Sequence, residues 1–174
     1  MTHDLDLRPL IRTVHGFPKP GVQFRDITTL LKDGAAFHAV VEALATAYRE
    51  AHVDKVAAIE SRGFIFGAPV AASLGVGFVP VRKPGKLPHK TRRRDYDLEY
   101  GTDALEMHAD ALVQGARVVV VDDLLATGGT AAATIELVRE IGGQIVGAAF
   151  VVELELLRGR NRFSHVPVDA LLTY

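Results

Sequence analysis

The chain has 174 residues, the length of one domain built round one core. With 48% hydrophobic and 24% charged residues, and 20 basic against 21 acidic side chains for a net charge of −1, it lies close to the globular average, which excludes disorder, a fibre and binding of nucleic acid by bulk charge. The absence of cysteine removes disulfide frameworks, thiolate zinc sites, iron–sulfur clusters and cysteine nucleophiles. No apolar run approaches the ~18 residues of a membrane span, and Met1, Thr2, His3 and Asp4 are too polar and acidic to open a signal peptide, so a cytoplasmic protein without a membrane partner is expected.

In chain order, residues 5–14 read as a short helix, and Gly16, Pro18, Pro20 and Gly21 predict a loop over 15–21. Phe37, Val40, Val41, Leu44 and Tyr48 recur at helical spacing through 35–51. Residues 53–59 are a strand-like run of small and β-branched residues. It ends at Glu60-Ser61-Arg62-Gly63, before a second helical stretch reaching Leu74. Gly77–Val81 predicts another strand. The segment after it, 83–100 (KPGKLPHKTRRRDYDLEY), is too long and polar for an ordinary connection and has the length of a lid. Residues 116–121 (ARVVVV) make the most strand-like run, expected to stop at Asp122-Asp123. The helix after it, Gly129–Ile141, carries Ile135 and Val138 on one face and is closed by Gly142-Gly143. Strands over 144–152 and 168–172 complete the pattern. Continuous apolar strands separated by helices imply an α/β fold with a mostly parallel central sheet flanked by helices. Ligands bind such sheets beyond the carboxyl ends of the strands, so chemistry is expected in the loops after Ile59, Val81 and Val121.

The strongest of these loops is VVVVDDLLATGGT, residues 118–130. Two adjacent carboxylates end a strand, and Ala126-Thr127-Gly128-Gly129-Thr130 opens a helix. Gly128 and Gly129 let backbone N–H groups come close to an anion, Thr127 and Thr130 add hydroxyl donors, and a helix N-terminus favours negative charge, so a phosphate fits there. Neither G-x-x-x-x-G-K-[ST] nor G-x-G-x-x-G occurs, which argues against a kinase-like or dinucleotide-binding loop. The segment resembles the phosphoribosyl pyrophosphate (PRPP) motif of the type I phosphoribosyltransferases. That resemblance implies that Asp122 and Asp123 hydrogen-bond the ribose 2′ and 3′ hydroxyls and that residues 126–130 bind the 5′-phosphate.

Further segments fit the same substrate. Arg62 can present a fork of N–H donors to phosphate oxygens and Gly63 allows backbone amides to approach; Ser61, Arg62 and Gly63, within ESRGF, resemble the family's pyrophosphate loop. Arg82 and Lys83 add positive charge at the end of the next strand and are expected to pair with the same pyrophosphate. RKPGKLP at 82–88 and LEYG at 98–101 resemble the two ends of the flexible catalytic loop of the adenine phosphoribosyltransferases. Glu99 then contacts the imidazole edge of the purine and moves a proton, and Tyr100 covers the site. FPKPGVQFRDI at 17–27 resembles the base-binding segment of the same family: Phe24 stacks on the purine, Gln23 and Arg25 read its edge through backbone groups, and Leu154 covers its other face. Arg92, Arg93 and Arg94 receive no role, since a charge run is usually a solvated face.

The resemblance runs from about residue 10 to 174 and implies a single phosphoribosyltransferase domain over 1–174. The flexible lid is at about 83–100, and a small base-binding hood comes from about 10–30 and 150–174. It implies transfer of the phosphoribosyl group from PRPP to adenine, giving AMP and pyrophosphate in purine salvage. Catalysis falls to Glu99, Tyr100 and Arg62, with Mg2+ bound mainly through PRPP near Asp122 and Asp123. The family also suggests a homodimer, with no nucleic-acid partner. Two rivals remain at this stage: a phosphoribosyltransferase for another base such as xanthine or hypoxanthine, and a non-catalytic PRPP- or nucleotide-sensing regulator.

Overall fold

Strands whose side chains are apolar on both faces must be covered on both faces, and this sets the architecture. The computed structural model describes residues 6–97 and 101–174. Its elements are β1 (Arg12–His15), β2 (Gln23–Asp26), α1 (Thr28–Leu31), α2 (Gly34–Thr46), β3 (Lys55–Ile59), α3 (Arg62–Leu74), β4 (Gly77–Val81), β5 (Thr91–Asp97), β6 (Thr102–His108), β7 (Arg117–Leu125), α4 (Gly129–Ile141), β8 (Gln144–Glu153) and β9 (Val168–Thr173). Five of the strands form a parallel sheet in the order β4-β3-β7-β8-β9. Along β7 the side chains alternate between two cores. Val119 and Val121 join the cluster under α2 and α3, while Val118 and Val120 join the one under α4 with Phe150 and Leu137. β3 lies between β4 and β7, so the carboxyl ends of all three, and the loops leaving them, share one edge.

Two antiparallel pairs sit outside this sheet. β1 pairs with β2, Val14 opposite Phe24, and β5 pairs with β6, Asp97 opposite Thr102. The helix expected over 5–14 is therefore a correction: a 3-10 turn, Arg8–Leu10, is followed by a strand. Pro9 lacks the amide a longer helix needs, and pairing of Arg12-Thr13-Val14 with β2 overrides local propensity. The segment 17–27, singled out by its resemblance to a base-binding segment, contains strand β2. The polar connection after Val81 contains β5, whose burial pattern is that of a half-exposed edge hairpin rather than an apolar core strand. Residues 102–108, outside every element the sequence pattern predicts, form β6. Nor does the long strand stop at Asp122: β7 continues to Leu125 because β8 runs beside it, Asp122 opposite Phe150 and Leu124 opposite Val152. Among the described residues no helix is long and apolar enough to cross a membrane.

Candidate active site

The shared strand edge holds a cleft of about 310 Å³ lined by Glu60, Ser61 and Arg62 after β3, Lys83 after β4, Asp122 and Asp123 of β7, Thr130 of α4 and Tyr96 of β5. Arg62, the first residue of α3, places Nε 2.9 Å from Asp123 Oδ2. Its guanidinium also lies 5.3 Å from the ring centroid of Phe24, so it spans the ground between the acid pair and the aromatic strand β2. Gly63 is required by close approach: a Cβ there would stand 2.7 Å from Asp122 Oδ1 and 3.1 Å from the Val121 carbonyl. Burial, and then the adjacent Asp123 charge, push the Asp122 carboxyl well above its ordinary value. Asp123, only 4% exposed, is also raised by burial, with the Arg62 guanidinium pulling against that rise. The pair is thus a stock of acceptor oxygens enclosed with too few donors.

Ala126, Thr127, Gly128 and Thr130 line a smaller hollow of about 60 Å³ with Asp122 and Leu124. Gly128 caps α4 in the left-handed region at φ +80, and a Cβ on Gly129 would lie 3.3 Å from both the Asp97 carbonyl and the Tyr96 ring, so β5 rests on this loop. On the aromatic side, the Phe24 and Phe17 rings meet edge to face at 5.1 Å. The Arg25 side chain turns away to donate to Thr13 Oγ1 and to lie 3.9 Å over the Tyr174 ring. Leu154 follows β8, its N–H donating to the Leu125 carbonyl at 2.9 Å.

Residues 26–169 match the model of the phosphoribosyl transferase domain. The chain is 56% identical to the adenine phosphoribosyltransferase of Acidobacterium capsulatum, covering 99% of this chain and 97% of that one. It is 57% identical to that of Solibacter usitatus, over 97% and 98%. The chain belongs to the adenine phosphoribosyltransferase family. Its backbone superposes on the crystal structure of the Thermoanaerobacter pseudethanolicus adenine phosphoribosyltransferase with a TM-score of 0.94, at 50% identity, covering 97% of this chain and 98% of the other.

Against that family's pattern the structure gathers Ser61, Arg62, Lys83, Asp122, Asp123 and Thr130 in one cleft, with Phe24 beside Arg62. Arg82 does not line the cleft: Nε and Nη2 each donate to Glu60 at 3.1 Å and Nη1 reaches the Lys86 carbonyl, so its fork engages the carboxylate at the cleft wall. Lys83 Nζ pairs with Asp103 and donates to the Tyr96 hydroxyl at 2.9 Å. Glu99 and Tyr100 lie outside the described residues. Gln23 is exposed at the start of β2. Tyr96, Glu60 and Asp103 are the neighbours that sequence reasoning missed. The one usable signal was Tyr96, an aromatic residue in an otherwise charged run. Among the described residues no three His, Asp or Glu gather to hold a metal. A magnesium ion near the acid pair would therefore take most of its ligands from the substrate's pyrophosphate, which the two-carboxylate donor set accommodates.

Proposed function

We propose that this chain transfers the 5-phosphoribosyl group of PRPP to N9 of adenine, giving AMP and pyrophosphate, within purine salvage. The observation that carries the reading is the position of Arg62, which touches Asp123 on one side and faces Phe24 on the other. It thereby joins a phosphate-and-ribose site to an aromatic base site. The bond from the anomeric carbon to pyrophosphate breaks while the bond to N9 forms, leaving positive charge on the ribose ring and negative charge on the leaving group. Arg62 and Lys83 stabilise the leaving group, Asp122 and Asp123 accept from the ribose hydroxyls and face the positive ring, and 126–130 fixes the 5′-phosphate. Magnesium, carried in with PRPP, adds charge neutralisation at pyrophosphate. Glu99 takes the purine's proton, and the 83–100 lid, with Tyr100 as its last residue, keeps water from the oxocarbenium-like centre.

The base is read by backbone. Among the described residues β1 is the one strand that pairs with β2, so the other edge of β2 offers C=O and N–H groups around Gln23 and Arg25. Adenine presents a donor at N6 beside an acceptor at N1. Hypoxanthine inverts both, leaving two unpaired polar contacts and a discrimination of about 10⁴. Phe24 and Leu154 grip either base alike. In steady-state assays wild type should use adenine and refuse hypoxanthine, and Phe24→Ala should weaken adenine use while keeping the preference. Comparable kcat/KM for the two bases would overturn the adenine assignment. Glu99→Ala is expected to lower single-turnover kcat by about 10²- to 10⁴-fold, and Glu99→Gln similarly, because the amide cannot ionise. The reading also takes the protein to be a cytoplasmic homodimer of single domains, whose hoods come from 10–30 and 150–174; sedimentation equilibrium tests the dimer.

A further inference from the structure

Glu153, the last residue of β8, is only 2% exposed. Both its oxygens are engaged by one side chain: Arg160 Nε donates to Oε1 at 2.6 Å and Nη2 to Oε2 at 2.5 Å. A buried carboxylate with a forked guanidinium is a costly arrangement, since desolvation offsets much of the attraction, so what it holds in place matters. The six residues it encloses include Arg158, in the left-handed region at φ +50, and Gly159. A Cβ on Gly159 would lie 2.3 Å from the Ala126 carbonyl oxygen and 3.1 Å from the Gly128 amide nitrogen. Reciprocally, a Cβ on Gly128 would lie 2.3 Å from the Gly159 carbonyl oxygen. Two backbones thus meet with no room for a methyl group on either, and the rear of the 126–130 loop is built against residue 159.

We infer that the Glu153–Arg160 pair, acting through Gly159, is the positioning device of the loop that takes the 5′-phosphate. This rests on the function proposed above. The loop must aim several N–H groups at one anion, and such cradles fail on displacements well under an ångström. Gly159 supplies the surface that fixes their aim, and the forked pair fixes Gly159. Leu154 belongs to the same segment but is anchored separately. Its own N–H goes to the Leu125 carbonyl, the Tyr174 N–H goes to the Glu153 carbonyl, and the Glu155 N–H goes to the Tyr174 carbonyl, each at 2.9 Å. The device therefore acts on phosphate and leaves the base alone.

The test compares wild type, Gly159→Ala and Arg160→Lys. It measures the AMP dissociation constant by calorimetry, KM for PRPP, and KM for adenine at saturating PRPP. In Gly159→Ala, AMP affinity should fall and the PRPP KM should rise by about tenfold or more, the scale of one charged hydrogen bond, with the adenine KM within about threefold. Arg160→Lys keeps the buried charge paired but loses the fork, so it should move the same two constants in the same direction by less. It also decides the matter should Gly159→Ala not fold. Unchanged AMP and PRPP constants in folded variants overturn the inference, and so does an equal loss for adenine, which would mean general loosening. A wild-type protein that makes no AMP from adenine and PRPP removes the underlying reading and the inference with it. An active wild type with unchanged variants removes the inference alone.

Discussion

Asp122 and Asp123, the acid pair proposed to face the ribose, carry a folding cost whose sign follows from their burial. A carboxyl raised above its ordinary value by burial binds its proton more tightly in the folded chain, so stability is lost as pH climbs from about 4 towards the raised value. Asp122→Asn removes the ionisable group. In the ligand-free protein its thermal midpoint at neutral pH should exceed that of wild type, with the gain shrinking as pH falls to about 4, and activity at subsaturating PRPP should drop by about 10- to 1000-fold. A midpoint lower than wild type at every pH would show the acid to be a structural anchor. Gly63→Ala acts at the same point from the other side. Its methyl group would press on Asp122 Oδ1 and the Val121 carbonyl, so PRPP use should fall although residue 63 carries no side chain of its own.

β5 and α4 explain the arginine run that sequence alone could assign only to solvent. Arg92 Nε lies 3.9 Å from Glu140 Oε1 and Arg94 pairs with Glu136, while Arg93, on the opposite face of the strand, pairs with Asp95 at 2.8 Å. Residues two apart on a strand share a face, as do residues four apart on a helix, so the alternate arginines meet successive turns of α4. The strand that precedes Glu99 in the chain is thereby strapped to α4, the helix that follows the 126–130 loop proposed to take the 5′-phosphate. Exposed pairs are individually weak and screened by salt. The double variant Arg92→Glu/Arg94→Glu should speed hydrogen exchange of the β5 amides by about three- to tenfold at low salt. Adding Glu136→Arg and Glu140→Arg should restore protection, and high salt should narrow the difference. Exchange indifferent to both would leave the run without a holding role.

The whole molecule is two layers of helix on one sheet, closed at the β9 edge by a long-range contact. The buried Tyr48, just beyond α2, donates its hydroxyl to Asp169 Oδ2 at 2.7 Å. Tyr48→Phe should cost about 1 kcal/mol by chemical denaturation and leave kcat untouched, since neither residue approaches the cleft. The parallel sheet and its helices were legible in the order of residues alone, because strands buried on both faces leave uninterrupted runs such as VVVV at 118–121, and a helix end such as Gly142-Gly143 leaves a plain stop. Asp122, Asp123, 126–130 and Arg62 were marked as one candidate site by their order in the chain, because an anion site needs particular residues in a short contiguous stretch, and the structure brings Arg62, Asp122, Asp123 and Thr130 to one cleft. Sequence reading failed at β1, β2 and β5, which carry almost no apolar side chains, and at β6, where Leu105 and Met107 alternate with Glu106 over too short a stretch to stand out. It also failed at the partners of the site. That Arg82 pairs with Glu60, that Lys83 is held by Asp103 and Tyr96, and that Gly159 stands behind Gly128 are facts of juxtaposition between residues 13 to 31 positions apart in sequence, and only tertiary packing brings them within reach.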